Sequence, residues 1–221
     1  MSTRLLLIRH GATTLSAEDR FAGAVDVELS DEGRRQSRRL GERLANEPIA
    51  AIYASPMKRT VETARLVGVP HDLPVIEHEG LREIGHGRWE GLTRQEVEER
   101  YCVEYGEWAE DPFTFAPEGG ESGLSVMSRA LPAIRSIVVS HPGQSVAVVS
   151  HKATIRLVLC SLLGIDARGY RDRLDQSPAC LNVLDFKDPV RVRLITYNDT
   201  AHYTERPRPP EAHLSKWWDE K

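Results

Sequence analysis

The chain has 221 residues, which at roughly 150 residues per domain sets one domain, or one with an elaboration, as the expectation. Hydrophobic residues make up 40% and charged residues 28%, the ordinary balance of a soluble globular protein able to bury a core without staples. Lys+Arg number 29 against 33 Asp+Glu, a net charge of −4 that argues against a dedicated nucleic-acid binder but leaves room for a local basic pocket.

Leu5-Leu6-Leu7-Ile8 is a continuous apolar run that predicts a buried strand, ended at Arg9-His10-Gly11. Ser30 before Asp31-Glu32 is an N-cap signal that opens a helix to about Ala45, with Leu40 and Leu44 on its inner face. Ile49 to Ala54 predicts a second buried strand, and Ser55-Pro56 starts a helix to about Val67. Residues 73–120 are rich in Glu, Gly and aromatics, fit the alternation poorly, and predict an inserted helical lid with a helix opened by Thr93. Ser122 to about Ser140 carries an apolar stripe at Val126, Ala130, Ala133, Ile134 and Ile137, with Pro132 predicting a kink or break.

Ser145 to Ser150 is the clearest buried strand and leads into a helix, Ala153 to Leu163, stopped by Gly164. Asn182–Phe186 and Arg191–Thr196 predict a closing strand pair. The expected fold is α/β, a three-layer α/β/α sandwich with a mostly parallel central sheet. A single domain is expected over 1–204, followed by a Pro-rich tail, 205–221, that contains Trp217 and Trp218.

Cys102, Cys160 and Cys180 are odd in number and widely spaced, so neither a disulfide framework nor a zinc pattern is implied. The Leu5–Ile8 run is too short for a secretory core, and Leu157 to Ile165 is interrupted by Ser161 and Gly164. No membrane partner and a cytoplasmic, reducing setting are expected. A homodimer is the base-rate expectation.

Three strand ends carry the chemistry. They deliver Arg9-His10-Gly11, Ser55-Pro56 with Arg59 one turn on, and Ser150-His151 to one rim of the expected sheet, where open α/β sheets bind ligands. Two Arg suit bidentate contacts to phosphate oxygens, and two His suit chemistry near neutral pH. Gly11 would let backbone approach a ligand closely, and the helix start at His151 would add anion contacts.

With Leu81-Arg82-Glu83-Ile84-Gly85-His86-Gly87-Arg88-Trp89-Glu90-Gly91 and Gly119-Gly120-Glu121-Ser122, these motifs resemble those of the histidine phosphatase superfamily, the phosphoglycerate-mutase-like group, in the same order along the chain. The resemblance implies a metal-independent phosphomonoesterase acting on a small phosphorylated metabolite, with no cofactor. It makes His10 the nucleophile that takes the phosphoryl group, Arg9, Arg59 and His151 the holders of its oxygens, and Glu83 the proton donor to the leaving alcohol. Candidate substrate contacts are Gly11, Thr13, Ser16, Gly23, His86, Lys152 and His202.

The motifs also depart from the usual pattern. Ala12-Thr13 and Leu15-Ser16 replace a Glu-Thr and a Trp-Asn, and Lys152 replaces the Gly after His151. A cofactor-dependent phosphoglycerate mutase is the alternative, disfavoured because His86 stands where a Tyr is expected and no Arg-rich insertion follows. A non-catalytic binding protein is a third reading, disfavoured because His10, Arg9, Arg59, His151 and Glu83 are all present. The Arg34, Arg35, Arg38, Arg39 run reads as a solvated helix face, and Trp89, Tyr105 and Trp108 read as lid packing.

Overall fold

The apolar runs become strands because each buries side chains on both faces. In the computed structural model, which describes residues 2–14 and 20–204, β1 (Thr3–Arg9), β2 (Ile49–Ala54), β3 (Val75–Glu77), β4 (Ser145–Ser150), β5 (Leu181–Phe186) and β6 (Val192–Asp199) form one sheet in the order β3-β2-β4-β1-β5-β6. The first four are mutually parallel, and β5 and β6 close the sheet antiparallel. Ser16 and the tail 205–221, with Trp217 and Trp218, lie outside the described residues.

Alternation along each strand sorts the core into two layers. Leu5, Leu7, Val146, Val148, Leu184 and Phe186 pack on one face against α5 (Gly123–Ser140) and α6 (Lys152–Leu163). Leu6, Ile8, Ile52, Ala147 and Val149 pack on the other against α1 (Asp31–Leu44) and α2 (Lys58–Gly68). The result is the expected three-layer arrangement. None of the described helices is long and apolar enough to cross a membrane.

Local signals account for the helix ends. The Ser30 side chain accepts the Gly33 N–H to start α1, and Gly164, at φ 68°, stops α6. Thr93 and Glu96 form a reciprocal capping box at α3 (Arg94–Arg100), which is followed by α4 (Cys102–Glu110). α5 runs through Pro132 without a break. Pro132 and Ser128, whose carbonyl loses its i+4 partner, are both on the exposed side of the helix.

The stretch 73–120 begins with β3, a short edge strand of the sheet. The part that leaves the sheet has its own small core of Phe21, Trp89, Val97, Tyr105 and Trp108. The Arg run of α1 is a solvated face: Arg34 pairs with Glu62, Arg35 with Glu32 and Arg39 with Glu42.

The turn after β1 is clamped on α1. A Cβ on Gly33 would sit 2.0 Å from the Ala12 carbonyl oxygen, and one on Gly11 would sit 2.5 Å from that of Gly33. Both obstacles are backbone, which cannot swing away. Gly33→Ala is expected to cost about 1–3 kcal/mol, the usual penalty of overpacking. A lower melting temperature checks this, and an unchanged one would show the turn to be loosely held.

Candidate active site

The chain leaves β1 toward α1 on one face of the sheet and leaves β4 toward α6 on the other. The carboxyl ends of these two neighbouring strands therefore open a crevice between their outgoing connections. Arg9 lies opposite Ser150 in the parallel register, and His10 N–H donates to the Ser150 carbonyl at 3.0 Å. A cavity of about 200 Å³ lies here.

His10 is 7% exposed and is oriented by its own turn. Its Nδ1 lies 2.8 Å from the Gly11 carbonyl oxygen. A carbonyl only accepts, so Nδ1 carries the proton and Nε2 the lone pair. Burial, then the charges of Arg59 and Arg9, hold His10 well below the ordinary imidazole value, so the ring is neutral at neutral pH.

Arg59 is 2% exposed and donates to His151 Nδ1 from Nε, to the Val25 carbonyl from Nη1 and to the Gly23 carbonyl from Nη2. That uses three of its five N–H groups. Arg9 donates Nη1–H to the Gln176 carbonyl, and its buried Nε has no protein partner.

His151 lies behind His10 rather than on the cavity wall. It is fully buried, and its ring meets that of His10 edge-on at 5.2 Å. Because Nδ1 accepts from Arg59, the proton is on Nε2, which donates to Ser55 Oγ at 2.8 Å. Both ring nitrogens are committed to protein, and the ring fixes Arg59. Burial and the Arg59 charge hold it well below the ordinary imidazole range.

Glu83 reaches the cavity from the lid side by docking on the start of α6. Oε2 accepts the Ala153 N–H at 3.2 Å. Oε1 accepts from the Thr154 N–H and Oγ at 3.1 Å and from the Ile84 N–H at 3.0 Å. The anion contacts expected from this helix start are therefore taken by Glu83. Arg129 braces the segment, donating to the carbonyls of Gly80, Arg82 and Glu83 and pairing with Glu121, which accepts the Gly85 N–H. This gives Glu121 of the Gly119-Gly120-Glu121-Ser122 motif a positioning role.

Of the other candidates, Thr13, Gly23, His86 and Lys152 line the cavity. His86 packs edge-on against Phe21 at 4.9 Å, and burial lowers it to about 4. Lys152 Nζ is 3.9 Å from Asp175. Gly11 does not line the cavity. Its N–H donates to Thr63 Oγ and its bare face meets Gly33, so close packing requires the glycine. His202 also lies off the wall, against Tyr203.

Sequence reasoning missed Arg20, Phe21, Arg156, Tyr170 and Arg171, all on the wall, and Trp108, which both packs the lid and lines the cavity. Arg156 follows Lys152 by one helical turn, a spacing that could have flagged it. Six cationic side chains (Arg9, Arg20, Arg59, Lys152, Arg156 and Arg171) face one carboxylate, Glu83, around this cavity. The chain is acidic overall, but the site is a strong local attractor for an anion.

Residues 5–200 match the histidine phosphatase superfamily (branch 1). The chain belongs to this superfamily. This histidine phosphatase is 36% identical over 163 residues to phosphoserine phosphatase 1 of Hydrogenobacter thermophilus, an alignment covering 74% of this chain and 77% of that one. Its fold superposes on Bacillus stearothermophilus YhfR with a TM-score of 0.85 and 31% identity, covering 90% of this chain and 98% of the other. It superposes on a mycobacterial glucosyl-3-phosphoglycerate phosphatase with a TM-score of 0.81 and 29% identity, covering 90% and 99%. Membership and these relatives make it an enzyme of the phosphatase kind.

Proposed function

We propose that this histidine phosphatase hydrolyses a small phosphorylated metabolite through a phosphohistidine on His10, without metal. The observation that carries the reading is the His10 ring. Nδ1 is locked on the Gly11 carbonyl, Nε2 is left as the lone-pair nitrogen, and Arg9, Arg59 and Glu83 share its cavity.

Nε2 attacks phosphorus as the ester P–O bond breaks. The remaining N–H groups of Arg59 and Arg9 neutralise the equatorial oxygens, where the transition state gathers charge. Glu83 gives its proton to the departing alkoxide. Oε2, with a single hydrogen bond from protein, is the oxygen with room to carry it. In the second half Glu83 takes a proton from water as that water attacks the phosphohistidine, which releases phosphate and restores both groups.

His151 acts through Arg59, as a positioning residue. Thr13, Gly23, His86 and Lys152, which line the same cavity, are the candidate substrate contacts. The size of the cavity favours a small molecule, in keeping with the phosphoserine and glucosyl-3-phosphoglycerate in the names of relatives. Hydrolysis of p-nitrophenyl phosphate is expected to persist undiminished in excess EDTA. Loss of activity in EDTA that added metal restores would contradict the proposal.

A further inference from the structure

Arg171, on the short helix α7 (Tyr170–Arg173), is 7% exposed and lies on the cavity wall. Its guanidinium sits over the face of Trp108 at 3.9 Å, and one Nη2–H reaches the Ala109 carbonyl at 3.3 Å. Its buried Nε–H has no hydrogen-bond partner, and no ion pair joins it to any described carboxylate. Arg156, the other buried arginine of this part of the wall, has Asp175 at 3.5 Å. A buried cation is retained cheaply only when an anion completes it. For Arg171 the protein supplies an aromatic face and one carbonyl, and the cavity supplies the open side.

The wall around Arg171 is distinct from the His10 end. Trp108 lies against Phe21 at 5.4 Å and near His86 at 6.5 Å, so the ring under the guanidinium belongs to an aromatic cluster. Arg9 and Arg59, by contrast, flank His10. Resting on the phosphatase reading above, we infer that Arg171 is a specificity-determining residue that pairs with a carboxylate on the substrate's leaving group, making the enzyme selective for phosphorylated carboxylic acids. A planar carboxylate matches the edge of a guanidinium. A cavity of about 200 Å³ suits a short carbon chain between the two anionic groups.

Two pairs of esters that differ at the carboxylate test this: O-phosphoserine against O-phosphoethanolamine, and 3-phosphoglycerate against glycerol 3-phosphate. Each is measured as a competitor of p-nitrophenyl phosphate hydrolysis, which reads binding whether or not the competitor is turned over. The wild type is expected to bind the carboxylate-bearing member of each pair at least about tenfold more tightly, the worth of one charge-assisted contact. Arg171→Gln is expected to bring both ratios close to one, and Arg171→Lys to retain part of them. Each ratio is internal to one protein sample, so loss of folded enzyme does not change it.

Ratios near one in the wild type, or ratios unchanged in Arg171→Gln, overturn the inference. If the wild type fails to hydrolyse p-nitrophenyl phosphate, the phosphatase reading falls instead. Calorimetric titration of the same four esters then reads the Arg171 contact independently.

Discussion

His10→Ala is expected to lower kcat for any phosphomonoester by about 10⁴-fold or more, the scale seen when a covalent nucleophile is removed. The substitution deletes the nitrogen proposed to form the P–N bond. His151 is the nearest imidazole, with ring centroids 5.2 Å apart, but its nitrogens are committed to Arg59 and Ser55. The residual rate should therefore not show a second phosphohistidine. Because burial and two arginines hold His10 below the ordinary imidazole range, its acid limb in kcat/KM is expected well below pH 6.5. Steady-state kinetics on purified variant and parent check both points. A variant retaining a tenth of parent activity would remove His10 from the mechanism.

Glu83→Gln carries the second large effect, and it depends on the leaving group. An alkoxide needs a proton as it departs, whereas p-nitrophenolate leaves without one. The kcat/KM of an alkyl phosphate, which ends at alcohol release and so excludes the shared water step, is expected to fall about 10²–10⁴-fold, the usual worth of a general acid, and that of p-nitrophenyl phosphate by far less. Gln keeps an oxygen for the Thr154 N–H and Oγ but turns an NH₂ toward the Ala153 N–H, so part of the docking on α6 survives. Comparing the two esters within one variant separates proton donation from misplacement of the segment. Equal losses on both would mean that Glu83 only holds α6.

The layers of this fold were legible because they rest on short-range patterns. Leu5 to Ile8 and Val146 to Val149 are apolar at every position, which only a strand buried on both faces tolerates. Ser30, Thr93 and Gly164 mark helix ends through bonds made within three or four residues. The strand ends, and with them Arg9, His10 and Arg59, followed from the same patterns.

Features that depend on distant chain meeting distant chain stayed hidden. The close packing of Gly11 on Gly33 joins a strand end to the next helix, and no local pattern announces it. Nothing in the sequence shows that Arg59 Nε and Ser55 Oγ bond the His151 ring. Arg156 and Arg171 escaped notice because the non-phosphoryl end of the cavity is assembled from α6, α7 and the lid, where no periodic pattern records which side chain turns inward.

The proposed mechanism turns on a covalent bond between phosphorus and His10 Nε2. Rapid mixing with a ³²P-labelled phosphomonoester, followed by a denaturing quench at alkaline pH, preserves a phosphoramidate and lets peptide mass spectrometry locate it. The expected result is one acid-labile, base-stable phosphoryl group on the peptide bearing His10, absent from His10→Ala. Label on any other residue, or hydrolysis at full rate with no phosphoryl-enzyme at any mixing time, would contradict the mechanism.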